Sequence, residues 1–242
     1  MLYHLLIFLF LLAPLGHATE IEVKDFAIRQ FDSSGSEFKL YLVKKKGVPL
    51  NRLSIFVDGI HGNEKTGIVQ RLMKEHSAGM DLYLERGGAF LFVPSLNQGT
   101  YRRNNEMIDL NRDFTENPKS LEVKNFIFAV HYIIDLESIV KIDLVLDFHC
   151  CERALIQNNE LSLKELELVA ELVGDNGIPL GFPDEILGYY ERIIPGTLIG
   201  YFSRTYGALS LAYEAKNLEN DGDWIKDGLS RFYVKLLSQS TN

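Results

Sequence analysis

Short apolar runs alternate with helical patterns along this chain, and this alternation constrains the fold more than any other feature. Four runs have the length and composition of buried strands, namely residues 53–57, 89–93, 144–148 and 208–213. Helical patterns cover residues 68–73, a stretch after Pro118, residues 163–173 and residues 224–237. This order predicts an α/β fold in which a mixed, largely parallel central sheet carries helices on both faces.

Further upstream, residues 21–28 and 38–43 read as two strands separated by a turn-rich segment, which predicts a hairpin at the edge of the sheet. The chain has 242 residues, of which 46% are hydrophobic, so it can bury one substantial core. No Gly-, Ser- or Pro-rich linker divides it. We therefore predict a single domain over residues 19–242.

The first twelve residues are almost wholly apolar, and small residues at Gly16 and Ala18 suit a signal peptidase. We predict a signal peptide over residues 1–18 and a periplasmic or secreted mature protein. A membrane span needs about 20 apolar residues, and Pro14 interrupts this run, so no stable span is expected after processing. No Lys or Arg precedes the run, which is unusual for an exported chain.

The formal net charge of −8 argues against nucleic acid as a partner, because phosphate binding needs clustered Lys and Arg. The two cysteines, Cys150 and Cys151, are adjacent, so they cannot tie distant segments together. They could serve as additional soft metal ligands, but neighbouring side chains on an extended chain point to opposite sides, so we expect packing thiols that flank the site.

Polar residues stand where two of the predicted strands end. His61 and Glu64 form a His-x-x-Glu pair after residues 53–57, and this spacing can direct both side chains at one metal ion. His149 directly follows residues 144–148, with Asp147 beside it. Ligands of such sheets collect at the carboxyl ends of strands, and a catalytic zinc commonly takes three ligands from His and carboxylate. The sequence therefore predicts one Zn²⁺ per chain, held by His61, Glu64 and His149.

A loop rich in guanidinium and amide groups lies between these motifs. It contains Arg-x-Asn at residues 102–104 and Asp-Leu-Asn-Arg-Asp-Phe at residues 109–114. With the upstream His-x-x-Glu, this arrangement resembles the zinc metallocarboxypeptidase family of carboxypeptidase A type, over about residues 54–214. The domain is shorter than the digestive carboxypeptidases, and compact members of this kind resemble bacterial murein peptide amidases, which cleave between D-glutamate and diaminopimelate.

This resemblance implies a zinc carboxypeptidase-like catalytic domain and a role for each matching residue. It makes Asp109 the partner that orients His61, and Arg102 the group that stabilises the oxyanion of the tetrahedral intermediate. It makes Asn111 and Arg112 the groups that bind the terminal carboxylate of the substrate. A planar guanidinium suits that task because it can contact two carboxylate oxygens at once.

Glu214 ends the predicted strand 208–213 and matches the late catalytic glutamate of the family. In the family, this carboxylate takes a proton from the attacking water and passes it to the leaving amine. Many members also place a tyrosine over the bound substrate, and Tyr189 and Tyr190 lie near that position. We expect no required chemical step from either tyrosine.

The predicted activity is zinc-dependent hydrolysis of a C-terminal peptide bond in a peptide or muropeptide with a free carboxylate. Residues 59–67 also resemble the succinylglutamate desuccinylase and aspartoacylase group, which removes acyl groups from amino acids. That group generally carries a further C-terminal β domain, whereas only residues 215–242 follow the late glutamate here. This difference and the Arg-x-Asn motif favour peptide cleavage. A non-catalytic peptide-binding module is the alternative from another class, and the complete set of expected residues argues against it.

Overall fold

The computed structural model describes residues 19–23, 26–32, 38–150, 153–176, 178–187, 193–216 and 218–239. The predicted signal peptide, Tyr189 and Tyr190 lie outside these ranges, so the structure does not test the predictions about them. Within the described residues, no helix is both long enough and apolar enough to cross a membrane.

A mixed sheet of nine strands runs through the described part of the chain. The strands are β1 (Thr19–Val23), β2 (Phe26–Asp32), β3 (Lys39–Lys45), β4 (Arg52–Asp58), β5 (Gly88–Val93), β6 (Lys141–Cys150), β7 (Ala154–Gln157), β8 (Leu180–Gly181) and β9 (Leu209–Ala215). Their order is β1-β2-β3-β5-β4-β6-β9-β7-β8. The central strands β5, β4, β6 and β9 are parallel, and antiparallel pairs lie to either side of them, which confirms the predicted fold class.

The amino-terminal edge differs from the prediction. Residues 21–28 were predicted as one strand, but β1 and β2 pair antiparallel within this stretch, with Val23 opposite Phe26. A two-residue connection is enough for an antiparallel hairpin. Of Lys24 and Asp25, the two residues between these strands in the sequence, only Asp25 is of a type favoured in turns, which is a weak signal for a chain reversal. The predicted two-stranded hairpin is therefore a three-stranded edge, because β2 also pairs antiparallel with β3.

Helices cover both faces of the sheet, as predicted. They are α1 (Ile68–Lys74), α2 (Ala78–Glu85), α3 (Leu121–Glu137), α4 (Leu163–Val173), α5 (Pro183–Ile186), α6 (Leu198–Tyr206) and α7 (Leu218–Gln239), with short 3-10 helices at Leu110–Arg112 and Gly174–Asn176. Buried residues of α3 and α6 join one apolar cluster. Those of α1, α2, α4 and α7 join a second cluster on the opposite face. The predicted helix over 224–237 is longer in the structure because it packs along α2 and α4.

The parallel strands bring three distant segments to one edge of the sheet. β4 ends at Asp58, and the loop that follows it carries His61 and Glu64. His149 lies near the end of β6, directly opposite Glu214 on β9. All four predicted residues therefore meet at the carboxyl ends of neighbouring strands, where α/β folds place their ligands.

Hydrogen bonds close the loop between β4 and α1. The buried carboxylate of Asp58 accepts bonds from the backbone N–H of Thr66 at 2.9 Å, from its hydroxyl at 2.9 Å and from the N–H of Gly67 at 2.8 Å. The N–H of Gly62 donates to the carbonyl of Tyr101 at 3.0 Å. A Cβ at Gly62 would lie 2.2 Å from the carbonyl oxygen of Gly99, so the loop packs there without space for a side chain.

Replacing Asp58 by Asn should destabilise the protein by about 1–3 kcal/mol, because at least one buried donor loses a charged acceptor. The loop that carries His61 should loosen with it, so the affinity for zinc should also fall. Urea unfolding and a zinc titration would measure the two effects. Asp227→Asn, at an exposed position on α7, is the matched control. Equal stability of both variants would contradict the role given to Asp58.

Candidate metal centre and substrate cavity

Two imidazoles and one carboxylate converge at the carboxyl edge of the sheet. The Nδ1 atoms of His61 and His149 each lie 3.0 Å from the same oxygen, Oε2 of Glu64. The two rings approach edge to face, with centroids 5.1 Å apart. One ligand atom from each residue lies within 4.8 Å of the others, so a single ion can contact all three.

Carboxylates fix the outer nitrogen of each imidazole. The Nε2–H of His61 donates to Oδ1 of Asp109 at 3.0 Å, and the Nε2–H of His149 donates to Oδ2 of Asp147 at 2.9 Å. These bonds would keep the Nε2 proton on each ring when a metal is bound, so that the Nδ1 lone pair is left for the ion. Two imidazole nitrogens and one carboxylate form the donor set of a catalytic zinc with an open position, so these residues fit that ion.

The electrostatics of the cluster favour a cation. Burial opposes ionisation of Glu64, but hydrogen bonds from His149 and His61 outweigh it and hold the pKa of Glu64 well below its usual range. Burial also opposes a charge on His149, but Asp147 and Glu64 outweigh it and raise the pKa of His149. Carboxylates that attract a proton to an imidazole attract a divalent ion for the same reason.

Asp109 holds more than His61. Its Oδ1 also accepts the backbone N–H of Asn111 at 3.1 Å, and its Oδ2 accepts Nε of Arg102 at 3.2 Å. Burial works against the ionised form, but the bond from His61 and the charges of His61, Arg102 and Arg112 together outweigh it and lower the pKa of Asp109. One carboxylate thus orients a proposed ligand, the 3-10 helix after it and a guanidinium group.

We expect Asp109→Asn to weaken zinc binding by about 10- to 100-fold, because the neutral amide no longer polarises the imidazole of His61. Competition with a chromogenic chelator would give the dissociation constant. Glu106→Gln, at an exposed position of the same loop, should bind zinc as the unmodified protein does. Unchanged affinity in Asp109→Asn would show that the carboxylate has no effect on the metal.

Arg102 lies beside the metal cluster. Its Nη1 donates to Oε1 of Glu64 at 3.3 Å, and 44% of its side-chain surface is exposed. The guanidinium is thus close enough to the cluster to contact a substrate oxygen there. Asn104, the last residue of the Arg-x-Asn motif, is buried away from the cavity: its side chain accepts the N–H groups of Glu106 and Ile108 and donates to Glu122.

Glu214 lies on β9, opposite His149 in the register, and is buried. Burial raises the pKa of Glu214 to about 7; His149 opposes this rise, whereas the charges of Glu64 and Asp147 add to it. A carboxylate with this pKa can both accept and release a proton near neutral pH.

Asn111 and Arg112 lie in the 3-10 helix after Asp109. Oδ1 of Asn111 accepts the backbone N–H of Leu198 at 3.0 Å, and its Nδ2 lies 3.5 Å from Nε2 of His149. Arg112 is exposed, and its Nη1 donates to the carbonyl of Asn111 at 2.6 Å. The short helix therefore presents a guanidinium and an amide beside the cluster.

A cavity of about 170 Å³ opens between these groups. Its lining includes all seven residues predicted as ligands, catalytic groups or substrate-binding groups: His61, Glu64, Arg102, Asn111, Arg112, His149 and Glu214. Cys150 also lines it, and its sulfur takes part in a disulfide. The expectation of a packing thiol at Cys150 is therefore wrong.

Sequence reasoning missed two features of the site. Asp147 was noted beside His149, but not as its partner; the signal was available, because residues two apart on a strand point to the same face. The apolar residues that β7, α5 and α6 contribute to the cavity lining could not be recognised from the sequence, because they have the same residue types as ordinary core positions.

Residues 52–215, from the first residue of β4 to the last of β9, match the family model of the succinylglutamate desuccinylase/aspartoacylase catalytic domain. The chain belongs to this family. The sequence resemblance had ranked this group second, after the carboxypeptidases, partly on an Arg-x-Asn motif whose Asn104 lies outside the cavity lining. No curated protein sequence matches the chain.

Solved structures of related folds include both groups that the sequence suggested. A metallo-carboxypeptidase from Burkholderia cenocepacia superposes with a TM-score of 0.62 at 17% identity, covering 97% of this chain and 68% of that one. An aspartoacylase family protein from Mesorhizobium loti gives 0.59 at 18% identity, covering 89% and 70%. A succinylglutamate desuccinylase from Silicibacter gives 0.56 at 14% identity, covering 90% and 69%. These similarities confirm the zinc carboxypeptidase-like fold of this desuccinylase/aspartoacylase family member.

Proposed function

We propose that this chain is a zinc-dependent amidohydrolase that releases an amino acid with a free carboxylate from its N-acyl derivative. The observation that supports this most is the His61, Glu64 and His149 cluster with the buried Glu214 opposite His149. Zinc bound by such a cluster activates water near neutral pH and polarises the carbonyl group that is attacked. The family match supports an N-acyl amino acid as the substrate.

The side chains around the cluster have separate roles in the proposed reaction. The Glu214 carboxylate takes a proton from the attacking water and delivers it to the leaving nitrogen. A pKa of about 7 suits both halves of this transfer. Arg102, whose guanidinium lies 3.3 Å from Glu64, turns toward the oxygen that becomes negative when the carbonyl is attacked.

Arg112 and Asn111 supply the contacts for the carboxylate of the amino acid. Both line the cavity: the Arg112 guanidinium donates to the carbonyl of Asn111, and the side-chain oxygen of Asn111 accepts the N–H of Leu198, which fixes the short helix against the start of α6. The exposed guanidinium of Arg112 can contact both oxygens of a carboxylate, which orients the amide bond toward the metal cluster. A neutral C-terminus, such as an amino acid amide, should therefore be a poor substrate.

A carboxypeptidase acting on peptides or muropeptides is the second candidate. It would use the same four side chains, those of Glu214, Arg102, Arg112 and Asn111. Its substrate would differ only in a longer acyl part, which extends out of the cavity. Tyr101, which precedes Arg102, is 78% exposed and could contact such an extension. A surface aromatic of this kind stacks on or packs against peptide chains.

The two candidates separate on one series of substrates with a constant C-terminal residue and an acyl part that grows from acetyl to succinyl, to an aminoacyl group and to a muropeptide. Mass spectrometry of the zinc-loaded protein would identify the products. Cleavage of the short acyl compounds supports the deacylase, and cleavage of only the longer ones supports the carboxypeptidase. A protein that binds zinc and these ligands but cleaves none would support the non-catalytic module.

We also propose that the enzyme acts outside the cytoplasm, on the strength of the apolar leader in residues 1–18. N-terminal sequencing of the protein from fractionated cells would test this. A mature protein that begins at Thr19 in the exported fraction is the expected result. A full-length cytoplasmic chain would contradict it.

A further inference from the structure

One part of the cavity wall is apolar, beside the charged groups of the site. Six apolar residues face it: Ile156, Pro183, Leu187, Ile194, Ile199 and Ala212. Ala212 precedes Glu214 by two residues on β9, so both side chains are on the same face of the sheet, roughly 7 Å apart along the strand. Ile156 pairs directly with Ala212 across β7 and β9, which places the two side chains next to each other. The apolar lining therefore begins one step along the strand from the proposed catalytic carboxylate.

The polar residues in this part of the lining are already paired with the protein. The amide of Asn158 donates to the carbonyl of Ile194 at 2.8 Å and to the hydroxyl of Thr197 at 2.9 Å, while its oxygen accepts the N–H of Ile194 at 2.8 Å. The hydroxyl of Thr197 also donates to the carbonyl of Ile194 and accepts the N–H of Gly200. These groups hold the start of α6 in place and leave little capacity for a polar ligand.

The charged groups among the described lining residues are all committed elsewhere. Glu64 belongs to the metal cluster, Glu214 faces it, and Arg102 donates to Glu64 and Asp109. In the proposed function, Arg112 binds the α-carboxylate of the amino acid. The described lining thus offers no further Lys, Arg, Asp or Glu for a charged side chain of the substrate.

We propose that the amino acid released by this enzyme has an aliphatic side chain, which enters the cavity against Ile156, Ile199 and Ala212. This inference rests on the proposed function and specifies its substrate. It separates the chain from the acidic amino acids for which its family is named. Among the described lining residues, a carboxylate in this part of the cavity would lose its water without gaining a cationic partner, whereas each methylene of an aliphatic side chain adds about 10- to 200-fold discrimination.

The test is a series of N-acetyl amino acids that differ only in the side chain: glycine, alanine, valine, leucine, aspartate and glutamate. The zinc-loaded protein should show kcat/KM for N-acetyl-leucine at least about 10-fold above that for N-acetyl-glycine. N-acetyl-aspartate and N-acetyl-glutamate should fall below N-acetyl-glycine. A preference for either acidic compound would overturn the inference and leave the proposed function intact.

A binding measurement distinguishes failure of the proposed function from failure of the aliphatic preference. If neither the N-acetyl nor the N-succinyl amino acids are hydrolysed, the deacylase proposal fails, and calorimetry of the zinc-loaded protein with free leucine and free glutamate still tests the cavity. Tighter binding of leucine would support the aliphatic preference. Tighter binding of glutamate, or equal binding of the two, would overturn it.

A variant tests where the side chain enters. Ala212→Leu fills the space beside Ile156, so kcat/KM for N-acetyl-leucine should fall relative to N-acetyl-alanine by at least about 10-fold. Ala78→Leu, the same change at an exposed position of α2, should keep the ratio of the unmodified protein. Ile199→Val, a smaller change, should lower the preference for leucine if Ala212→Leu does not fold. An unchanged ratio in a folded variant would place the side chain elsewhere.

Discussion

Glu214→Gln should lower kcat by about 100- to 10,000-fold, because the amide can neither accept the proton of the attacking water nor deliver it to the leaving nitrogen. The size and packing of the side chain are preserved, so zinc content and thermal stability should change little. Release of the amino acid from its N-acetyl derivative, followed at saturating substrate, gives kcat. The Glu116→Gln variant, at an exposed position outside the cavity, should keep full activity.

The pH dependence has a definite sign. Glu214 acts in its ionised form, so kcat/KM should fall as the pH drops through the pKa of this group. Burial raises that pKa to about 7, and a bound cation beside the carboxylate lowers it from there, so the acidic limb should lie at or below about pH 7. Activity that rises on acidification would contradict a basic role for Glu214.

His149→Ala should remove both zinc and activity. The side chain supplies one of three proposed ligands, and its loss leaves Glu64 and Asp147 facing each other without the imidazole between them. Metal analysis of the purified variant should find far less than one zinc per chain, and hydrolysis should fall to background. His131→Ala, at an exposed position whose partner is Tyr206, is the matched control.

Removal of the metal from the unmodified protein should have a parallel effect on stability. An ion that binds only the folded chain stabilises it by about 4 kcal/mol at a thousand times its dissociation constant. A chelator should therefore lower Tm, and zinc should restore both Tm and activity. Restoration of activity by another ion, and not by zinc, would change the identity of the metal and leave the site in place. A chelator without effect on either quantity would contradict the metal centre.

Much of the site was accessible from the sequence because its residues occur in local motifs. His61 and Glu64 stand three residues apart in one loop, and the strand before that loop was recognised from its apolar run. His149 and Glu214 each end such a run, and parallel strands bring their carboxyl ends to one edge whatever the loops between them do. The convergence therefore followed from the order of strands and helices alone.

Other predictions depended on the direction of side chains, which the sequence does not give. The Arg-x-Asn motif was used as evidence for the carboxypeptidases, but in the structure Asn104 bonds its own loop and Glu122. Residues 21–28, predicted as one strand, contribute to two antiparallel strands, β1 and β2, and this pairing cannot be read from the residue types of the segment. The disulfide at Cys150 was likewise not expected.

The fold class, the candidate metal-binding motif and the resemblance to two related groups of hydrolases could be recognised in the sequence, because apolar periodicity and ligand spacing are properties of short segments. The residues that form the wall of the cavity could be identified only from the packing of the whole fold. Ile156, Ile199 and Ala212 come from β7, α6 and β9, and each is an ordinary core residue in its own segment. They form the proposed binding surface because β7 pairs beside β9 and α6 packs on the same face of the sheet. The proposed specificity thus depends on long-range packing, whereas the proposed chemistry depends on local motifs.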